Sequence, residues 1–111
     1  PPVPVQPPEV VASLEVVSAD GTASMLLSAR AAWVLERAEC AIWQEGIMLD
    51  TVQVSPELSL TSHQPVGLNL TFERLEPGPV QLTGSLHLTG ALGAQALVLV
   101  DLSGAVEEVI P

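Results

Sequence analysis

The chain has 111 residues, which suffices for one domain and leaves too little material for a second domain with its own core. Its composition is 48% hydrophobic and 14% charged, and this balance excludes a disordered chain, which would be rich in charge and poor in apolar residues. The 13 acidic residues and three arginines give a formal net charge of −10. Nucleic acid and anionic membranes are therefore unfavourable partners, because both require a positive patch.

The N-terminal stretch predicts a linker. Residues 1–8 contain five prolines and favour a solvated, polyproline-II-like spacer. Residues 9–111 are then expected to form a single β-sandwich domain. The stretch has no initiator Met, basic segment or apolar segment of a targeting sequence, so we expect that any such segment was removed or lies outside these 111 residues. The spacer indicates a piece of a longer parent chain with neighbouring domains.

The first predicted elements are two strands joined by a tight turn. Apolar and polar side chains alternate from Val10 to Ser18 and again from Met25 to Ala31, so each segment can bury one face. Between them, Asp20-Gly21 is a turn signal, because glycine accepts a positive φ and aspartate bonds to the nearby backbone. The pattern predicts an antiparallel hairpin.

Residues 29–45 fit either a strand or a helix. Ala, Leu, Glu and Arg favour a helix, and Gly46 would serve as its C-terminal cap. A helical wheel, however, places charged residues on opposite sides and leaves no apolar stripe. Alternation favours a strand whose phase shifts at Glu36-Arg37, as at a bulge. On this phase we expect Trp33 and Cys40 to point into the core, with Cys40 as a structural thiol; an intermolecular bridge or a reactive thiol is the alternative for Cys40.

Three further strands are predicted downstream. Residues 66–72 and 80–89 alternate clearly, and Pro77-Gly78 forms a turn between them. Residues 96–100 are apolar on both faces, which predicts a central strand or one covered on both sides. Residues 77–100 carry no charge, but their period of two indicates strands rather than a membrane helix. With two short apolar runs within 47–60, the count reaches seven or eight strands.

These strands predict an all-β fold, an antiparallel two-sheet sandwich in which apolar faces bury each other. The segment 64–84, QPVGLNLTFERLEPGPVQLTG, has an alternating strand, a Pro-Gly corner and a second alternating strand. In this it resembles immunoglobulin-like domains of bacterial envelope and secreted proteins. The resemblance implies an immunoglobulin-like fold and a connector or adhesion role. A second cysteine and a tyrosine, both typical of antibody domains, are absent.

The sequence offers little for catalysis. His63 and His87 are isolated from each other and from Cys40, whereas a zinc site takes three or four protein ligands. The Gly-x-Ser-x-Gly elbow of serine hydrolases is missing. We therefore expect no enzyme, no catalytic residue, no bound metal and no cofactor.

Trp43 is the candidate binding residue, because tryptophan dominates many interfaces and this one falls on the opposite phase from Cys40. The leading hypothesis is a non-catalytic structural or protein-interaction module of an extracytoplasmic protein, acting as spacer, adhesion unit or assembly unit. Its expected partners are other protein domains or subunits. Two alternatives remain open: a module that binds carbohydrate or another small ligand by stacking on Trp43, and a subunit of a homomeric filament or sheath.

Overall fold

The computed structural model describes residues 9–73 and 75–106, so the predicted linker at 1–8 lies outside the described residues. The described part is built from strands, and it contains one short 3-10 turn, Ala91–Gly93, and no α-helix. The strands are β1 (Val11–Val17), β2 (Thr22–Ser28), β3 (Trp33–Gln44), β4 (Ile47–Val54), β5 (Leu58–Leu60), β6 (Val66–Thr71), β7 (Gly78–Thr89) and β8 (Gln95–Val106). The all-β prediction and the count of seven or eight strands are confirmed.

The eight strands belong to one sheet with the order β4-β3-β7-β8-β1-β2-β6, and β5 pairs with β3. Every pairing is antiparallel except that of β1 with β8, which run parallel and meet at a single bridge between Val17 and Val106. The sheet is therefore mixed and curls into a half-barrel. The sequence predicts antiparallel pairing throughout, and this prediction is wrong for the contact between β1 and β8. Alternation within a strand carries no information about the direction of its neighbour.

The inner face of the curled sheet encloses one apolar core. Among the described residues every buried side chain is hydrophobic, and both ends of the strand order contribute. The largest fully buried side chains are Met25, Leu27, Leu35, Ile42, Leu60, Leu70, Leu75, Leu82, Leu86 and Leu88.

The predicted first hairpin forms between β1 and β2. Asp20 Oδ1 accepts a hydrogen bond from the Thr22 N–H at 3.0 Å, and Gly21 adopts a φ of +100°. The Gly21 carbonyl then accepts the Phe72 N–H at 2.8 Å, which ties the turn to the end of β6. Two reasons require glycine at this position. Its positive φ is unfavourable for other residues, and a Cβ would overlap the Phe72 carbonyl oxygen.

The ambiguous segment 29–45 is a strand, β3, from Trp33 to Gln44. Its ladder with β7 shifts register between Leu35 and Arg37, where the sequence predicts a bulge. The extra residue moves the buried phase from Leu35 to Ala38, so both halves of the strand keep their apolar side chains in the core.

The charge-free stretch 77–100 forms β7 and the first half of β8. No helix of the described residues is long and apolar enough to cross a bilayer. The strand order places β8 between β7 and β1, as expected for a central strand. Residues 96–100 are not covered on both sides, however, since Leu97 is 60% exposed and Leu99 is 77% exposed. The inward side chains of β8 face the core, but no described element lies over the outward ones.

Candidate functional site

The candidate site is the outer face of the four neighbouring strands β4, β3, β7 and β8. The period of two puts one set of side chains in the core and the other on this face. From Gln81 to Thr89 the outward set of β7 is entirely polar and consists of Gln81, Thr83, Ser85, His87 and Thr89. The register places Leu99 of β8 beside Ser85 and Leu97 beside His87. Two exposed leucines therefore border a polar strip.

Trp43 lies on this outer face, as its phase in the sequence predicts. Its side chain is half-buried, and the indole N–H donates to Thr83 Oγ1 at 2.9 Å. Beside it, Gln81 Nε2 donates to Asp101 Oδ1 at 2.7 Å. These two hydrogen bonds join β3 to β7 and β7 to β8, so the indole is held in place against the sheet. Whether Trp43 contacts a partner stays a prediction.

A shallow trough of about 630 Å³ crosses the middle of the face. It forms because the outward side chains at its centre, Ala41 and Ser85, are small. Glu39, Gln53 and Leu99 are among the larger side chains that line it. Thr83 also lines the trough, with Trp43 beyond it. The trough therefore combines an apolar wall at Leu99 with hydroxyl, amide and carboxylate groups.

A second trough of about 600 Å³ lies further along β7 and β8, with Leu97, Thr89 and Gln95 in its lining. Its lining includes two charged residues, Glu36 and Arg37. The Arg37 Nη2 atom lies 3.2 Å from His87 Nε2, and its Nε lies 3.2 Å from Glu39 Oε1. Arg37 thus stands between the two troughs, because its ion-pair partner Glu39 lines the first one. A ligand that enters both troughs would pass over this cation.

The other sequence candidates lie apart from this face. Cys40 points into the core, and burial raises the pKa of its thiol to about 11, so the thiol is protonated at neutral pH. A buried structural Cys40 is as predicted. His63 is exposed in the loop between β5 and β6. Residues 9–73 and 75–106 contain no group of three or more His, Cys, Asp or Glu side chains placed to hold a metal ion.

Sequence reasoning did not find Leu97 and Leu99, because a run that is apolar on both faces usually indicates burial on both faces. The exposure of the outward leucines could be predicted only with the knowledge that no element of the described residues covers this face.

Comparisons with known proteins show no family for this chain. No protein-family model matches the chain, and no curated protein matches it. A crystal structure of a protein from Archaeoglobus fulgidus is similar, with 10% sequence identity and a TM-score of 0.45. The match covers 90% of this chain and 97% of that one.

Proposed function

We propose that this chain is a non-catalytic structural or protein-interaction module, built as an immunoglobulin-like two-layer sandwich and carried by an extracytoplasmic protein. The exposed apolar side chains of β8, Leu97 and Leu99, each line one of two troughs on the outer face, and this is the observation that carries the interaction role. Its partners are other protein domains or subunits.

The strand order supports the immunoglobulin-like part of the proposal. Strands β1, β2 and β6 pair with one another, strands β4, β3, β7 and β8 form a second set, and a single bridge joins the two sets. Immunoglobulin folds place their first, second and fifth strands in one sheet and their third, sixth and seventh in the other. With β4 and β5 counted together as the fourth segment, the other strands divide in this same way. The fourth segment differs, because it pairs with β3 here and lies in the sheet of the first, second and fifth strands in constant-type immunoglobulin domains. The resemblance of residues 64–84 points the same way.

The exposure of β8 supports the interaction role. Leu97 and Leu99 are 60% and 77% exposed, although single exposed leucines are ordinary on protein surfaces. Here the two are adjacent on one strand and each lines a separate trough. Apolar side chains next to concave, partly polar surface are typical of protein-binding sites.

The chemistry of the available groups supports a non-catalytic role. The Cys40 thiol is buried and protonated, so it is a poor nucleophile. The His87 ring lies against the Arg37 guanidinium, whereas a general base would contact a hydroxyl or thiol. The localisation outside the cytoplasm rests on the family resemblance and on the proline-rich residues 1–8.

Two measurements test the proposal. The first assays the chain with ester, glycoside and phosphate substrates, and we expect no rate above that of heat-unfolded protein. A rate that a single substitution such as His87→Ala abolishes would overturn the non-catalytic role.

The second measurement places a photo-cross-linking amino acid at Leu99, and at exposed Glu57 as a control, in cells that produce the protein. We expect a discrete protein adduct from position 99 and none from position 57. Equal adducts at both positions, or none at either, would remove the support for an interaction role.

A further inference from the structure

Strand β8 has one hydrogen-bonded edge and one open edge. Its ladder with β7 runs through all 12 residues, Gln95 to Val106, without a register shift. On the opposite edge its described pairing is the single bridge from Val106 to Val17. Within the described ranges, residues 95–105 therefore have no strand partner on that side. Such an edge presents a row of backbone N–H and C=O groups to solvent.

This edge has few of the features by which proteins usually block strand pairing. Residues 95–106 contain no proline and no lysine, and Asp101 is the one charged side chain among them. The strand also has no bulge against β7. Proline, lysine and bulges are the common means of preventing a further strand from adding to an edge.

The side chains next to the open edge are arranged for alternate contacts. Leu97 and Leu99 are two residues apart, so both point to the outer face, and they line different troughs. A strand added beside β8 would place its own alternate side chains next to these leucines. Strand addition characteristically takes affinity from main-chain hydrogen bonds and specificity from pockets for alternate side chains.

We propose that the β8 edge, from Gln95 to Leu102, binds an extended segment of a partner protein by β-strand addition. The segment carries apolar side chains at two alternate positions, which cover Leu97 and Leu99, and a basic residue beside Asp101. This inference rests on the proposed interaction function and assigns it to one edge of the sheet.

Charge selects a basic partner segment over a second copy of this chain. The chain has a net charge of −10, so two copies repel each other, whereas a cationic segment is attracted. The reach of the segment along β8 is limited at one end, because the Leu14 side chain of β1 packs against Gly104. Beyond Leu102 the approach of β1 leaves less room for an added strand.

The probe for the test is a nine-residue peptide with blocked ends, in which valines alternate with threonines and two lysines. It is titrated against the full chain while backbone hydrogen exchange is followed. In the free chain we expect alternate amides of residues 96–102 to exchange quickly, because only every second amide faces β7. Bound peptide should protect those fast amides. The control peptide has the same sequence and charge but is N-methylated at its five central residues, and it should not bind.

Matched variants separate strand addition from general charge attraction. Leu97→Lys places a cation at the edge, and we expect it to weaken peptide binding by about tenfold or more. Ile47→Lys is the control, because Ile47 is 62% exposed and lies in β4 on the far side of the sheet. It makes the same change in net charge and should leave the affinity within about twofold.

Four results would overturn the inference. Equal binding by the N-methylated peptide would show that charge alone holds the probe. Slow exchange of all amides 96–102 in the free chain, independent of concentration, would mean that part of the same chain already covers the edge. Concentration-dependent protection with dimers in sedimentation would identify a second copy as the occupant. Protection confined to β4 would reject the β8 edge and leave the proposed interaction function standing, since that function is tested separately by cross-linking.

Discussion

Strands β2 and β8 both have alternating apolar residues that face the core, yet they are buried to very different degrees. The inward side chains of β2, Ala23, Met25 and Leu27, are fully buried, and β2 pairs along its length with β1 and β6. The inward Val98 and Leu102 of β8 are only half-buried, and its outward Leu97 and Leu99 lie in solvent. Apolar character thus indicates which side chains can be buried. Whether a given side chain is in fact buried depends on the strands that neighbour it.

The turns that lead into the two strands give the largest expected difference. Gly21→Ala should lower the free energy of unfolding by about 4 kcal/mol, because alanine strains the positive φ and its Cβ overlaps the Phe72 carbonyl. Gly93→Ala, before β8, has a φ of +76° but open space around the Cβ, so strain alone should cost about 1 kcal/mol. Urea denaturation of both variants measures the difference, and equal losses would contradict it.

Leucine truncations extend the comparison to the strands themselves. Leu27→Ala should cost about 3 kcal/mol, because the side chain is fully buried and leaves a cavity. Leu102→Ala, half-buried on β8, should cost about 1.5 kcal/mol, and exposed Leu99→Ala less than about 0.5 kcal/mol. Thermal and urea unfolding give the three values. A loss at Leu99 as large as that at Leu27 would mean that the outer face is covered within the monomer.

Cys40 tests how well water is excluded from the core on the β8 side, since its side chain packs against Gly84 of β7. Burial raises the pKa of its thiol from 9.0 to about 11, so the folded chain holds this proton more tightly than the unfolded chain does. Stability should therefore be independent of this group below about pH 9 and fall between about pH 9 and 11, at most by roughly 1.4 kcal/mol per pH unit.

The chain suits this pH measurement because it has no tyrosine and no lysine, whose side chains titrate in the same window. Urea unfolding at several pH values should show the fall in the natural chain and a flat profile in Cys40→Ala. A fall of the same size in both chains would assign it to something other than the thiol.

The smallest expected effect concerns Trp43. Trp43→Phe keeps an aromatic ring but removes the N–H that donates to Thr83, and this should cost about 1 kcal/mol. Thr83→Val removes the acceptor at the same contact, so the double variant should lose less than the sum of the two single losses. Strict additivity in the unfolding energies would contradict a stabilising role for this hydrogen bond.

The sequence was sufficient for the features that depend on near neighbours. Alternation predicted the strands around Asp20-Gly21, and the charge distribution on a helical wheel favoured a strand over a helix for residues 29–45, with a phase shift at Glu36-Arg37; the structure has a strand from Trp33 to Gln44. These features depend on residues a few positions apart.

The features that the sequence missed depend on distant residues. The parallel direction of β1 and β8 is set by where the chain returns after 89 residues, and the Trp43 contact joins residues 40 positions apart. Leu97 and Leu99 are exposed because no element of the described residues covers them. None of these three features can be predicted from residues that are close in sequence.

The single bridge between Val17 and Val106 also bears on how the chain folds. It joins the first strand to the last, so it closes almost the whole described chain into one loop, whose entropy must be lost before the contact contributes. The pairs β2 with β6 and β3 with β7 are also distant in sequence. Such a high proportion of non-local contacts leads to slow folding, in milliseconds to seconds. In a ribosome-bound chain that still lacks β8, the edge of β7 that pairs with β8 is open, so complete folding waits for synthesis of the last strand.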